Sequence, residues 1–158
     1  MIEFITSTMA GKVLSTFFMS MVPVIELRGG VPWGVAHSLP LWLAYITAVL
    51  GNMVPVPFII HFLKRIFHWL KHFERTRHMV IGLEARAHLK GRKVERYSAL
   101  GLFLLVAVPL PGTGAWTGAL VASVLGLPPK KATFLIFLGV SAAGIIMLLL
   151  SHGVKSLL

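Results

Sequence analysis

Formal charge falls along this chain in blocks, with long apolar runs between them. Between Lys12 and Lys64 the only charged side chains are Glu26 and Arg28. Residues 64–96 then carry ten Lys and Arg against Glu74, Glu84 and Glu95. Residues 97–129 carry none, Lys130 and Lys131 follow, and residues 132–154 again carry none. A spanning helix needs about 20 mostly apolar residues. The runs at about 40–62 and 132–154 meet that length, and each predicts a transmembrane helix. The 13 residues from Val13 to Ile25 do not, nor does the run from Val31 to Leu39. Between those arms lies Val22-Pro23-Val24-Ile25-Glu26-Leu27-Arg28-Gly29-Gly30-Val31-Pro32, whose prolines and Gly-Gly pair disfavour an uninterrupted helix. The pattern predicts a re-entrant hairpin over about 13–39. A second Pro/Gly break, Val108-Pro109-Leu110-Pro111-Gly112-Thr113-Gly114-Ala115-Trp116-Thr117-Gly118, predicts another over about 98–127. Pro55 and Pro57 predict a kink or unwinding near Asn52 in the first span. Residues 1–12 read as a short interfacial helix.

The halves share one plan. An offset of 88 residues lays Pro23 on Pro111, Gly30 on Gly118, Leu39-Pro40 on Leu127-Pro128, Ala44 on Ala132 and Leu50-Gly51 on Leu138-Gly139. Shared membrane composition alone can also produce such matches. The expected fold is an all-α integral membrane protein, a single domain over 1–158. It is an inverted repeat of re-entrant hairpin plus transmembrane helix, with residues 1–63 as repeat 1 and 97–158 as repeat 2. Residues 64–96 form the connector, and Ile66, Phe67, Trp69, Leu70 and Phe73 give its first half an amphipathic face. Four full spans are the competing topology. The positive-inside rule favours the hairpins, because they keep Lys130 and Lys131 with the connector in the cytoplasm.

Composition sharpens the class. Only 13% of residues are charged, where soluble domains have about 25%. The net charge of +10 would raise nucleic acid as a partner in a soluble protein. Concentrated between apolar runs, it points to anionic lipid head groups instead. The absence of cysteine excludes disulfides, thiolate metal sites and thiol catalysis. The N-terminus has no basic region before an apolar core, so no cleaved signal peptide is expected. The expected location is the cytoplasmic membrane, multi-pass.

Glu26-Leu27-Arg28-Gly29-Gly30-Val31-Pro32, Leu50-Gly51-Asn52, Glu95-Arg96-Tyr97 and Val108-Pro109-Leu110-Pro111-Gly112-Thr113-Gly114 carry a resemblance to the small multi-drug export protein family, over nearly the whole chain. More distantly the layout is similar to the DedA (VTT-domain) superfamily. That resemblance implies two opposed re-entrant hairpins with an acidic residue in the first, a role that falls on Glu26. DedA proteins carry arginines around the second-hairpin proline. This chain has none there, and its Arg28 lies in the first hairpin.

An ionisable residue at membrane depth is costly, and its default reading is functional. A carboxyl withdrawn from water can load and release a proton, so Glu26 is the candidate proton site. A structural pair with Arg28 is the alternative, which needs broken backbone because positions i and i+2 do not face each other on a helix. Arg28 suits an anionic head group or substrate, or neutralises Glu26. Gly29, Gly30 and Pro32 complete that candidate site. Asn52, Pro109, Pro111, Gly112, Thr113, Gly114, Trp116 and Thr117 are its expected counterparts at the kink and the second tip. Tight turns and close helix packing explain the small residues equally well. His61, His68 and His72 share a helical stripe without an acidic third ligand, so no metal is expected. No nucleophile, phosphate loop or paired acids appear, and neither an enzyme nor a cofactor is expected. The functional expectation is a transporter, proton-coupled through Glu26, for a small amphipathic or lipid-like substrate. The alternatives are a flippase or scramblase for phospholipid or polyprenyl phosphate, and a non-transporting scaffold. So thin a bundle is expected to form a homo-oligomer.

Overall fold

The computed structural model describes residues 7–70, 91–110 and 112–157. All the regular structure in them is helical: α1 (Met9–Met21), α2 (Glu26–Ala36), α3 (Leu41–Met53), α4 (Pro55–Leu70), α5 (Gly91–Ala107), α6 (Ala115–Val124) and α7 (Pro129–Leu157). Two stretches are long and apolar enough to cross a membrane, Leu41–Leu63 and Pro129–Val154. These are the two expected spans. The first is interrupted at Val54, one residue before Pro55, whose missing N–H cannot continue the ladder. Val54 itself keeps helical backbone angles, so the expected unwinding near Asn52 reduces to a step between α3 and α4.

The first break is shorter than the sequence pattern predicts. It occupies only 22–25, and α2 starts at Glu26 and runs through Gly29, Gly30 and Pro32. The physical reason is packing. A Cβ on Gly30 would lie 1.9 Å from Ser20 Oγ and 3.2 Å from the Thr16 carbonyl. Helix α2 thus needs the glycine to lie tightly against α1, while Pro32 removes one N–H without ending the helix. The edges of the connector, residues 64–96, are helical. Helix α4 continues from the span to Leu70, and α5 begins at Gly91. The middle of that block, with His72 and Phe73, lies outside the described residues, as do residues 1–6 of the expected interfacial helix.

The same turn occurs twice at the 88-residue offset. After α2, Ser38 N–H bonds the Val35 carbonyl at 3.1 Å and Leu39 N–H bonds that of Gly34 at 2.9 Å. After α6, Gly126 N–H bonds Ser123 at 3.2 Å and Leu127 N–H bonds Ala122 at 3.0 Å. Both are helix ends closed by a left-handed residue, with φ of 61° at Ser38 and 67° at Gly126. Leu39 and Leu127 are buried beside them.

Helix α1 packs on α2 and α3, and α5 packs on α6 and α7. The halves then exchange contacts, α2 lying on α7 and α6 on α4. The core between them is built of small and branched residues, among them Val31, Ala44, Ala48, Val56, Ile60, Ala115, Ala119, Ala122, Ala132, Ile136 and Val140. Small residues let helix backbones approach closely where lipid supplies no hydrophobic drive between helices. Phe18, Trp42, Phe58, Phe62, Phe134, Ile145 and Leu149 are exposed on the outside, as a lipid-facing surface requires.

Candidate functional site

The two charges of the first half meet the break in the second. Glu26 is the first residue of α2 and takes a left-handed backbone, φ 51°. Such a conformation costs on the order of 1–3 kcal/mol in a non-glycine residue and needs support from its surroundings. Its own N–H is bonded to the Val22 carbonyl at 2.9 Å. The side chain turns inward and is only 3% exposed. Its carboxyl oxygens accept from the N–H groups of Ala115 at 3.3 Å and Trp116 at 3.2 Å. These are the first two residues of α6. The N–H groups of a helix's first turn have no partner within the helix, and their positive dipole end favours an anion. Gly114, the N-cap of α6, has no side chain to supply one. Glu26, from the other half of the chain, caps the helix instead.

Gly114 is shaped by that contact. It has φ 140°, and a Cβ there would lie 1.9 Å from Glu26 Oε2. The carboxyl fills the space a side chain would need. Trp116 adds a second tie between the halves, its Nε1–H donating to the Met21 carbonyl at 3.1 Å.

Arg28 serves the opposite end of the same break. Its guanidinium donates to the Leu110 carbonyl, to Thr113 Oγ1 at 2.9 Å and, at 3.4 Å, to the Val108 carbonyl. These groups follow the C-terminus of α5, where carbonyls lack helical partners and a cation is favoured. Glu26 and Arg28 therefore take separate partners. The anion caps the helix that begins after the break, and the cation caps the helix that ends before it. Thr117 Oγ1–H closes the loop onto the Gly112 carbonyl at 2.9 Å.

Asn52 approaches from α3. It is fully buried and its side chain lies beside the Glu26 carboxyl. Neither Nδ2 nor Oδ1 meets a partner at hydrogen-bonding geometry. Buried polar atoms are usually paired, so each exception calls for an explanation.

The structure thus gathers Glu26, Arg28, Asn52, Thr113, Gly114 and Trp116, with Pro109 and Gly112 in the adjoining loop and Thr117 in the first turn of α6. Pro111 lies outside the described residues. Gly29 and Gly30 are packing positions on α2 instead of linings of this site. Pro32 borders an apolar groove of about 470 Å³ between α2 and α7, with Val35, Ala36, Met147, Leu150 and Val154. His61 is exposed on α4, and the stripe it was expected to share ends in His72, outside the described residues. Sequence reasoning missed the Ala115 amide, the Met21, Val108 and Leu110 carbonyls, and the reason for Gly114. Backbone donors and acceptors leave no residue-type signature. One trace did exist: the 88-residue offset that relates the halves lays Glu26 on Gly114.

No curated protein and no solved structure matches the chain significantly. Its residues 26–146, which begin at the helix-capping Glu26 and include every contact just described between the two halves except that of Met21, match the family described as "Putative small multi-drug export protein", and the chain belongs to that family.

Proposed function

We propose that this chain is a proton-coupled exporter of a small amphipathic or lipid-like substrate, with Glu26 as its proton site. A membrane location follows from the family and from the two helices able to span. The observation that carries the coupling is the buried Glu26 carboxyl capping α6 from the other half of the chain. Hydrogen bonds to an ionised acceptor are about twice as strong as neutral ones. A proton arriving on Glu26 weakens both amide bonds and loosens α6 from α2. A proton leaving restores them. Proton occupancy is thereby tied to the fit between the halves, which is what alternating access requires. Arg28, with the loop around Thr113, is the group on which an anionic substrate would compete for the guanidinium.

In this reading the two hairpins are re-entrant and the repeats inverted, a common transporter plan with binding near the midplane. The helix lengths support it. Helix α1 has 13 residues and α2 has 11, about 20 and 16 Å, against a hydrocarbon core of about 30 Å. The exchanged packing of α2 on α7 and α6 on α4 supports it too. The basic connector faces the cytoplasm and anionic head groups, and copies of the chain associate to cover the thin bundle. The family points to transport and not to an enzyme.

The test is flux into proteoliposomes under an imposed proton gradient, comparing wild type with Glu26→Gln at matched folding. Gradient-driven flux that disappears in the variant is the expected outcome. Flux with unchanged pH dependence in Glu26→Gln would end the proposal. The same contacts favour one other reading, a non-transporting scaffold in which Glu26 and Arg28 only lock the halves together. There the variant lowers stability and wild type shows no flux. Lipid movement without any ion gradient would instead identify a scramblase.

A further inference from the structure

The reading of Glu26 as a proton site leaves one fully buried side chain unaccounted for. Asn52 has neither its amide nitrogen nor its amide oxygen paired, and a polar group buried alone is destabilising. Packing does not demand the amide. The position 88 residues later, at the corresponding place on α7, is Val140, which is equally buried. An apolar residue of similar size therefore suffices at that place in the helix.

We infer that Asn52 positions the proton on Glu26. This rests on the proposal that Glu26 exchanges a proton. A carboxylate and a carboxylic acid present different needs: the first only accepts hydrogen bonds, the second also donates one. The N–H groups of Ala115 and Trp116 serve the ionised form and offer nothing to an O–H. Arg28, on α2 itself, is the charged side chain whose field reaches Glu26, and it has donors only. Asn52, from α3, offers both functions. After a small closing movement its Nδ2–H would donate to the carboxylate, and with the amide turned over its Oδ1 would accept from the neutral acid. One unpaired amide thus satisfies both states in turn, which explains why it is bound to no third group.

The experiment is infrared difference spectroscopy on the full chain in lipid, between acid and alkaline pH. The carboxyl C=O band of neutral Glu26 is assigned by its loss in Glu26→Gln. In Asn52→Val the acid's O–H loses its acceptor, and the band moves to higher frequency. The thermal midpoint of each variant is measured beside wild type, so that the band shift is read on folded protein. Asn52→Leu, closer in shape because it also branches at Cγ, is read alongside it and shows the same shift if Val packs poorly. A Glu26 band unmoved in both variants overturns the role of Asn52 and leaves the proton site standing. No Glu26-dependent band in wild type at any pH overturns the proton site, and the role of Asn52 with it.

Discussion

Replacing Gly114 by alanine tests the contact on which the two halves close. The new Cβ would lie 1.9 Å from Glu26 Oε2, 2.7 Å from its Cδ and 2.8 Å from Oε1. All three are well inside van der Waals contact, so the carboxyl has to leave. Its bonds to Ala115 and Trp116 are already at 3.3 and 3.2 Å, and a further displacement breaks both. Hydrogen bonds to a charged group are worth about 1.5–3 kcal/mol each. The backbone at φ 140° adds on the order of 1–3 kcal/mol for a residue with a Cβ. The low ends of these ranges together give a loss of about 4 kcal/mol. Gly126 is the control: its φ of 67° is also left-handed, but its Cβ would meet nothing within 4 Å. Gly126→Ala should lose only about 1–2 kcal/mol. The assay is reversible unfolding in mixed micelles, followed by tryptophan fluorescence. Adding Glu26→Ala to Gly114→Ala removes the collision, so the two changes should couple by at least about 2 kcal/mol. A Gly114→Ala variant no less stable than Gly126→Ala, or a fully additive double variant, would refute this account.

Two further comparisons use the same unfolding measurement. Arg28→Lys keeps the charge but replaces a planar fork by a single ammonium for three acceptors, and should lose about 1–2 kcal/mol. Arg28→Met, which keeps the stem and removes the charge, should lose more. Gly51→Ala places a Cβ 2.3 Å from the Phe17 carbonyl and should push α1 and α3 apart at about 1–3 kcal/mol. Gly101→Ala, in α5 with open space around it, should instead stabilise by about 0.5–1 kcal/mol.

The spans were legible in the sequence because a bilayer fixes their length, and residues 40–62 and 132–154 carry no formal charge. The paired turns were legible as Leu39-Pro40 and Leu127-Pro128 at one offset, whereas the left-handed Ser38 and Gly126 that close them were not. The extent of the first break was not. Gly29, Gly30 and Pro32 read as breakers, yet in α2 Gly30 serves close contact with α1, a tertiary demand that no local rule contains. The charges were legible as a site, while their partners were not. Glu26 is bound by amides 89 and 90 residues away, and Arg28 by carbonyls at a similar separation. Any residue type carries those groups. The alternative reading, an ion pair between Glu26 and Arg28, gives way to separate helix-end partners for each.

The pairing of Glu26 with Gly114 also bears on how far the two halves can resemble each other. The offset that superposes the turns sets a glycine against the carboxylate, and the two touch in the folded protein. Two identical copies of the first half, joined in tandem, could not close in this way. A second carboxylate would stand where the space holds one. The halves must differ at this position in order to fit, and Glu26 is the buried carboxyl among the described residues. In the proposed cycle this site therefore carries at most one proton per polypeptide, a limit set by the volume of a missing side chain.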